Sequence, residues 1–193
     1  MASVSGSGVI SGAAFSNGAT YHLYPGGGTR VGRESSITGY LKITLPVGWT
    51  NTMFRFDINI YNYTEQDTVT YTVGGYNYGD SPGWYNISAE SRGYGAHANL
   101  PVTFGYDGSR NAIYIGYSST TWQYPQVSIS NVLTGYAGYS ATWSGNWSIG
   151  FTTSSPSYAS AIYNPNVTAR TVNYGSSLPS SGYHPGAIFY KTQ

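Results

Sequence analysis

The sequence predicts an all-β protein, an antiparallel β-sandwich or jelly roll, on three observations. Short segments in which apolar and polar side chains strictly alternate recur along the chain. No segment sustains a 3.6-residue apolar period, and Leu, Ala, Glu and Lys are scarce. Glycine, at 26 of 193 residues, interrupts the chain too often for helices of normal length. The length suits one domain, since a chain of this size hides roughly 70% of its extended surface on folding.

The elements follow in order. Met1-Ala2-Ser3-Val4-Ser5-Gly6-Ser7-Gly8 lacks the basic start and apolar stretch of a secretion signal and reads as a linker leading from a longer protein. At least one strand is expected within residues 9–24. Residues 25–36, with three consecutive glycines and both Arg30 and Arg33, read as an extended arm. Tyr40–Leu45 alternates and stops at Pro46, which has no N–H for a ladder. Met53–Tyr61 is the clearest strand: Phe54, Phe56, Ile58 and Ile60 share one face, while Arg55, Asp57, Asn59 and Tyr61 share the other, placing Arg55 beside Asp57. Thr68–Val73 alternates again and is expected to end at Gly74-Gly75. The polar Thr64-Glu65-Gln66-Asp67 between them makes a hairpin turn. A second hairpin joins Val102–Tyr106 to Ala112–Tyr117 through Asp107–Asn111, where the Asp-Gly step supplies a positive φ. Gln126–Ser130 and Trp147–Phe151 are two further strands. Residues 153–182 have no steady period and read as a second arm, followed by a closing strand near Gly186–Tyr190. Domain organisation is therefore a linker with the first strand or strands (1–37), a β-sandwich (38–152), and a C-terminal extended arm with a closing strand (153–193).

Composition excludes several classes of function. Disorder goes with few aromatics and high net charge, whereas this chain has 21 tyrosines and a formal net charge of +1. Eight cations against seven acids form no basic stripe, which argues against nucleic acid as a partner. No run of about 18 apolar residues exists, so no helical membrane insertion is expected. Without cysteine there is no disulfide, thiolate or cysteine metal site, and stability must come from packing or from association with other chains.

Several segments together resemble a domain of bacteriophage tail fibres and related virion proteins. They are Leu41-Lys42-Ile43-Thr44-Leu45-Pro46 leading to Trp49-Thr50-Asn51-Thr52-Met53, then Ile60-Tyr61-Asn62-Tyr63, Val73-Gly74-Gly75-Tyr76-Asn77-Tyr78, Phe104-Gly105-Tyr106-Asp107-Gly108 with Ile113-Tyr114-Ile115-Gly116, and Trp122-Gln123-Tyr124-Pro125-Gln126-Val127. The similarity runs over about residues 38–152. It implies a distal, non-enzymatic β-sandwich module of a virion fibre, homotrimeric, joined to other virion proteins and contacting a glycan or protein on the host surface. It carries no agreed ligand-binding residues, so sites are argued from chemistry.

Glu34, Asp57, Glu65, Asp67, Asp80, Glu90 and Asp107 are the raw material for paired-carboxylate hydrolysis. Each has a plainer role: Asp57 beside Arg55, Asp107 in its turn, and Glu65 and Asp67 at a polar hairpin tip. No catalytic residue is expected, and no Gly-x-Ser-x-Gly elbow supports a serine nucleophile. His22, His97 and His184 are far apart without metal-ligand spacing, so no metal and no cofactor are expected, and each histidine reads as an exposed or hydrogen-bonded loop residue. Four Asn-x-Ser/Thr triplets are what chance yields in a chain this rich in Ser and Thr.

The positive signal is a group of aromatics in Gly-, Asn- and Ser-rich stretches, the composition that recognition surfaces use. Tyr76, Tyr78, Trp84, Tyr94, Tyr117, Trp122 and Tyr124 are the candidate ligand-binding residues, with Tyr85 and His97 nearby. Flat rings stack on sugars, and Asn77, Asp80 and Gln123 offer partners for hydroxyls. The rival account, which carries more weight for any single ring, is that these rings fill subunit interfaces or the core, since Tyr and Trp are enriched at interfaces.

Overall fold

The computed structural model describes residues 34–63, 67–136 and 141–165, and the backbone of six short strands outside them. Its strands are β1 (Ser3–Val4), β2 (Ile10–Ser11), β3 (Thr20–His22), β4 (Arg30–Gly32), β5 (Ile37–Thr38), β6 (Tyr40–Thr44), β7 (Thr52–Asn62), β8 (Asp67–Tyr78), β9 (Gly83–Tyr94), β10 (Val102–Tyr106), β11 (Asn111–Ile115), β12 (Thr121–Trp122), β13 (Gln126–Gly135), β14 (Ser148–Thr152), β15 (Ser157–Ile162), β16 (Asn173–Gly175) and β17 (Phe189–Lys191). Single turns of 3-10 helix lie at Ala96–Asn99 and Ala141–Ser144.

Two antiparallel sheets form a sandwich. One has the order β14-β6-β11-β10-β15; the other has the order β3-β13-β7-β8-β9, with β4 also pairing β13. Alternation decides which residues lie between them. Phe54, Phe56, Ile58 and Ile60 of β7 meet Leu41, Ile43, Phe104, Ile113 and Ile115 of the other sheet, and all are buried. The core is aromatic: Phe54 lies 5.8 Å from Trp143, Phe56 lies 5.0 Å from Trp147, and Trp84 lies 5.4 Å from Phe104, each distance between ring centroids. Rings at such separations add about 0.5–1.5 kcal/mol per pair beyond their area burial.

Both expected hairpins form. Gly108 has φ +99°, and Asp107 Oδ1 accepts from the backbone N–H groups of Ser109 and Arg110 at 2.9 and 2.8 Å, which closes the turn. Arg55 does lie beside Asp57, at 4.0 Å.

The structure corrects the expected elements at five places. First, β8 does not end at Gly74-Gly75 but continues to Tyr78. The glycines are strand residues at a bulge, where a Cβ on Gly74 would stand 3.2 Å from the Phe54 carbonyl oxygen and one on Gly75 would stand 3.3 Å from Ile87. Second, residues 83–94, for which no strand is expected from the sequence, form the twelve-residue β9, so the aromatics of 76–94 lie on a long hairpin. Third, β13 runs on to Gly135 through a bulge at which Asn131 has φ +52°. Asparagine tolerates that left-handed backbone, and the extra residue shifts the alternation that would otherwise mark the strand. Fourth, the sandwich does not stop at 152: β15 pairs with β10 from Val102 to Tyr106, so part of the expected arm is a sheet edge. Fifth, Asp67 is not at a polar tip but fully buried at the start of β8.

Within the other expected arm, Arg30–Gly32 pairs with Gln126–Ser128. The closing strand expected near 186–190 falls largely outside the described residues, where the backbone of β17 pairs in parallel with β16.

Candidate functional site

The candidate residues divide between the interior and the surface. Around Trp122 the chain builds a buried polar knot. The Trp122 indole N–H donates to the Gly39 carbonyl at 2.8 Å, and its ring lies 4.7 Å from that of His97. Of the two expected forms of loop histidine, His97 is the hydrogen-bonded and buried one: it pairs through Nδ1 with Asp67 Oδ2, and Nε2 stands 3.0 Å from the Thr121 carbonyl. A carbonyl only accepts, so Nε2 carries a proton. Asn62 completes the knot, its amide donating to Asp67 Oδ2 at 3.3 Å while its Oδ1 accepts from the Gln123 backbone N–H at 2.6 Å. Tyr71 donates its hydroxyl to the His97 carbonyl and accepts from Leu100 N–H at 3.1 Å. Burial is the main reason the Tyr71 hydroxyl holds its proton well above the ordinary tyrosine range.

The knot is a clamp that ties β8, β12 and the Ala96–Asn99 turn together. Trp122 is fully buried, so its placement among ligand-binding residues is corrected. So is that of Trp84, which is buried between Trp49, Phe54 and Phe104. Asn77, a candidate partner for ligand hydroxyls, is likewise a core residue. Its Oδ1 accepts from Thr52 N–H at 2.7 Å, and its Nδ2 donates to Gly48 O and Asn111 Oδ1, both at 2.8 Å.

The other group lies on the outward face of the six-stranded sheet. At one end, Tyr76, Tyr78, Tyr85 and Tyr136 form a continuous ring cluster. Tyr76 stands 5.9 Å from Tyr78 and 5.8 Å from Tyr136, and Tyr78 stands 5.6 Å from Tyr85. Cross-strand register explains the cluster, since Tyr76 sits opposite both Met53 and Tyr85. Tyr85 and Tyr136 are 48% and 63% exposed, and a shallow depression of about 300 Å³ runs beside them between Met53, Arg55, Leu133 and Tyr136. Tyr76 donates to Asn51 Oδ1 at 3.2 Å. Partial desolvation raises the Tyr76 hydroxyl above its ordinary value, and the Asp80 carboxylate does the same for Tyr78.

At the opposite end, Tyr61 and Tyr94 flank Thr68 in one cross-strand row, and Tyr63 packs edge-on against Tyr124 at 5.8 Å. Tyr94 is 79% exposed. A groove of about 440 Å³ crosses this part of the sheet over Asn59, Tyr61, Thr70, Gln126 and Ser128. Between the ends lies a polar ladder. Thr70 donates to Asn59 at 3.1 Å, Asn59 to Ser130 at 2.8 Å, and Thr72 and Asn131 each donate to Asp57 at 2.7 Å.

Of the seven candidate residues, Tyr76, Tyr78, Tyr94 and Tyr124 lie on this face, and Tyr117 is exposed on a separate turn, Gly116–Thr120, off the five-stranded sheet. Tyr63, Tyr85 and Tyr136 complete the two clusters. Tyr136 follows a strand that the Asn131 bulge hides from alternation, and Tyr85 belongs to β9, whose bulge at Asn86 (φ +49°) has the same effect. An asparagine breaking an otherwise alternating run is the signal for both.

Among the described residues no three His, Asp or Glu side chains gather as a metal site would require. No family model, curated protein sequence or solved structure matches the chain.

Proposed function

We propose that this chain is a non-enzymatic adhesion module, of the tail-fibre kind its sequence resembles, and that the outward face of the six-stranded sheet is what it offers to a host-surface receptor. The observation that carries this reading is the pair of exposed tyrosine clusters at opposite ends of a single sheet face. Tyrosine gives broad contact at low entropic cost, and grouped exposed rings mark interaction sites rather than cores. The acids Asp57, Asp67 and Asp107 are engaged in internal hydrogen bonds, which supports a binding role over paired-carboxylate chemistry. In a virion the module would act as a homotrimer joined to other virion proteins, three copies raising the avidity of a weak site.

The test is saturable binding of the labelled protein to intact bacteria. Tyr85→Ala combined with Tyr136→Ala should abolish binding while leaving the thermal melt in place. Absence of binding to every strain on which the parent phage plates overturns the reading. A purely structural role, with rings packing between subunits, is favoured instead by Tyr158 and Tyr163, 56% and 67% exposed on and just after edge strand β15. In that case adsorption survives the double substitution.

A further inference from the structure

We infer that the outward face of the six-stranded sheet is a track for a linear, uncharged glycan that lies along the strands and is gripped by tyrosines at both ends. The inference rests on the adhesion reading and names the ligand class for the same face.

Three observations carry it. The first is geometry. The two tyrosine clusters sit at opposite ends of β7 and β13, with Met53 in one terminal row and Tyr61 in the other. Eight strand rises separate those rows, roughly 27 Å, a span that suits an extended chain and is too long for a single sugar. The second is backbone. Tyr124 and Tyr136 bracket β13, and both hold left-handed conformations, with φ +51° and φ +74°. This is uncommon for a bulky aromatic, and such strain gathers where a side chain must be aimed. One of these tyrosines stands at each end of the track.

The third is charge. Among the described side chains of the face, Arg55 lies 4.0 Å from Asp57 and Arg92 lies 3.6 Å from Glu90, so cations and anions offset each other along the ladder. At the tyrosine cluster the Asp80 carboxylate raises the Tyr78 hydroxyl above its ordinary value, and Arg55 lines the depression next to Tyr136. Among the described side chains, a polyanion such as a uronate polymer or nucleic acid meets no cationic surplus. Over the groove the neutral hydroxyls of Thr68, Thr70 and Ser128 match the donors and acceptors of neutral sugars, while the terminal rings offer faces for the apolar sides of pyranoses.

The experiment begins with bacteria that bind the protein. Their surface is treated with periodate, which cleaves vicinal diols, or with protease. Polysaccharide from the same cells is then cut into short and long oligosaccharides for calorimetry. Expected are loss of cell binding after periodate but not protease, and an affinity at least tenfold higher for the long fragments than for disaccharides. Tyr124→Ala and Tyr136→Ala, at opposite ends, should each weaken the long fragment roughly five- to tenfold. No single short fragment should respond to both changes. Protease-sensitive binding, affinity independent of fragment length, or sensitivity to one end alone overturns the track while the adhesion reading stands. If no strain tested binds the protein before treatment, the adhesion reading itself is overturned. If Tyr136→Ala instead shifts the mass measured by light scattering, the face is a subunit contact and the track is overturned.

Discussion

The outward faces of the two sheets use the same residue in opposite ways. On the five-stranded sheet Tyr114 points away from the core, yet it is 2% exposed, because Tyr40 packs edge-on at 5.7 Å and Lys42 reaches over its ring at 6.0 Å. Lys42 is itself fixed by Asp107 at 2.6 Å. On the six-stranded sheet the outward Tyr85 is 48% exposed, and its ring neighbours are other tyrosines on the surface. The difference separates two uses of one residue: a tyrosine roofed by its neighbours is structural wherever it points, and a tyrosine whose neighbours are also bare leaves its ring open for the recognition proposed above.

Tyr114→Ala is the strongest way to break that comparison. It opens a cavity under Tyr40 and Lys42, and large-to-small changes of buried aromatics cost about 3–5 kcal/mol. Against a total stability of about 5–15 kcal/mol, this should lower the urea midpoint by a large fraction and leave a poorly soluble protein. A melt within a degree or two of the parent would show that the roof is dispensable.

The acid limb of the stability profile tests the clamp above Tyr114. Burial alone would raise the Asp107 carboxyl, but the Lys42 ammonium and the N–H groups of Arg110 and Ser109 outweigh it and hold the group well below the usual carboxylate range. Its native value is therefore lower than its unfolded one. The stability it contributes is present above about pH 4, the ordinary carboxylate value, and is lost as pH falls through the lower native one. Thermal melts between pH 5 and pH 2 should fall steeply for the parent and less steeply for Lys42→Met, in which the clamp is already gone. Equal slopes would remove the ion pair from the account.

The contrast between the two faces was only half legible in the sequence. Strand positions, both hairpins and the all-β sandwich follow from alternation and turn chemistry, because one buried face fixes the register of each strand. Bulges defeated the rest. Each inserts one residue, as at Asn86 and Asn131, so alternation slips and strand is taken for loop. That slip set Trp84 among the candidate binding residues and kept Tyr85 and Tyr136 out of that set. Burial of Trp122 was hidden for a different reason: its partners Gly39 and His97 are distant in sequence, and only the fold brings them together.

The smallest expected effect sharpens the comparison most. Tyr85→Ala removes a ring whose contacts are other surface tyrosines, so no cavity forms and no buried polar group loses a partner; such surface changes usually stay within about 0.5 kcal/mol. The same substitution should nonetheless reduce adsorption to host cells severalfold. Binding by the parent should also be flat from pH 6 to 9: the Tyr76 and Tyr78 hydroxyls are raised above the ordinary tyrosine value of about 10, so they remain neutral donors throughout. A sharp loss of adsorption near pH 7 would instead assign recognition to a histidine or another group off this face. A Tyr85→Ala melt as damaged as that of Tyr114→Ala would erase the distinction between the roofed and the bare sheet.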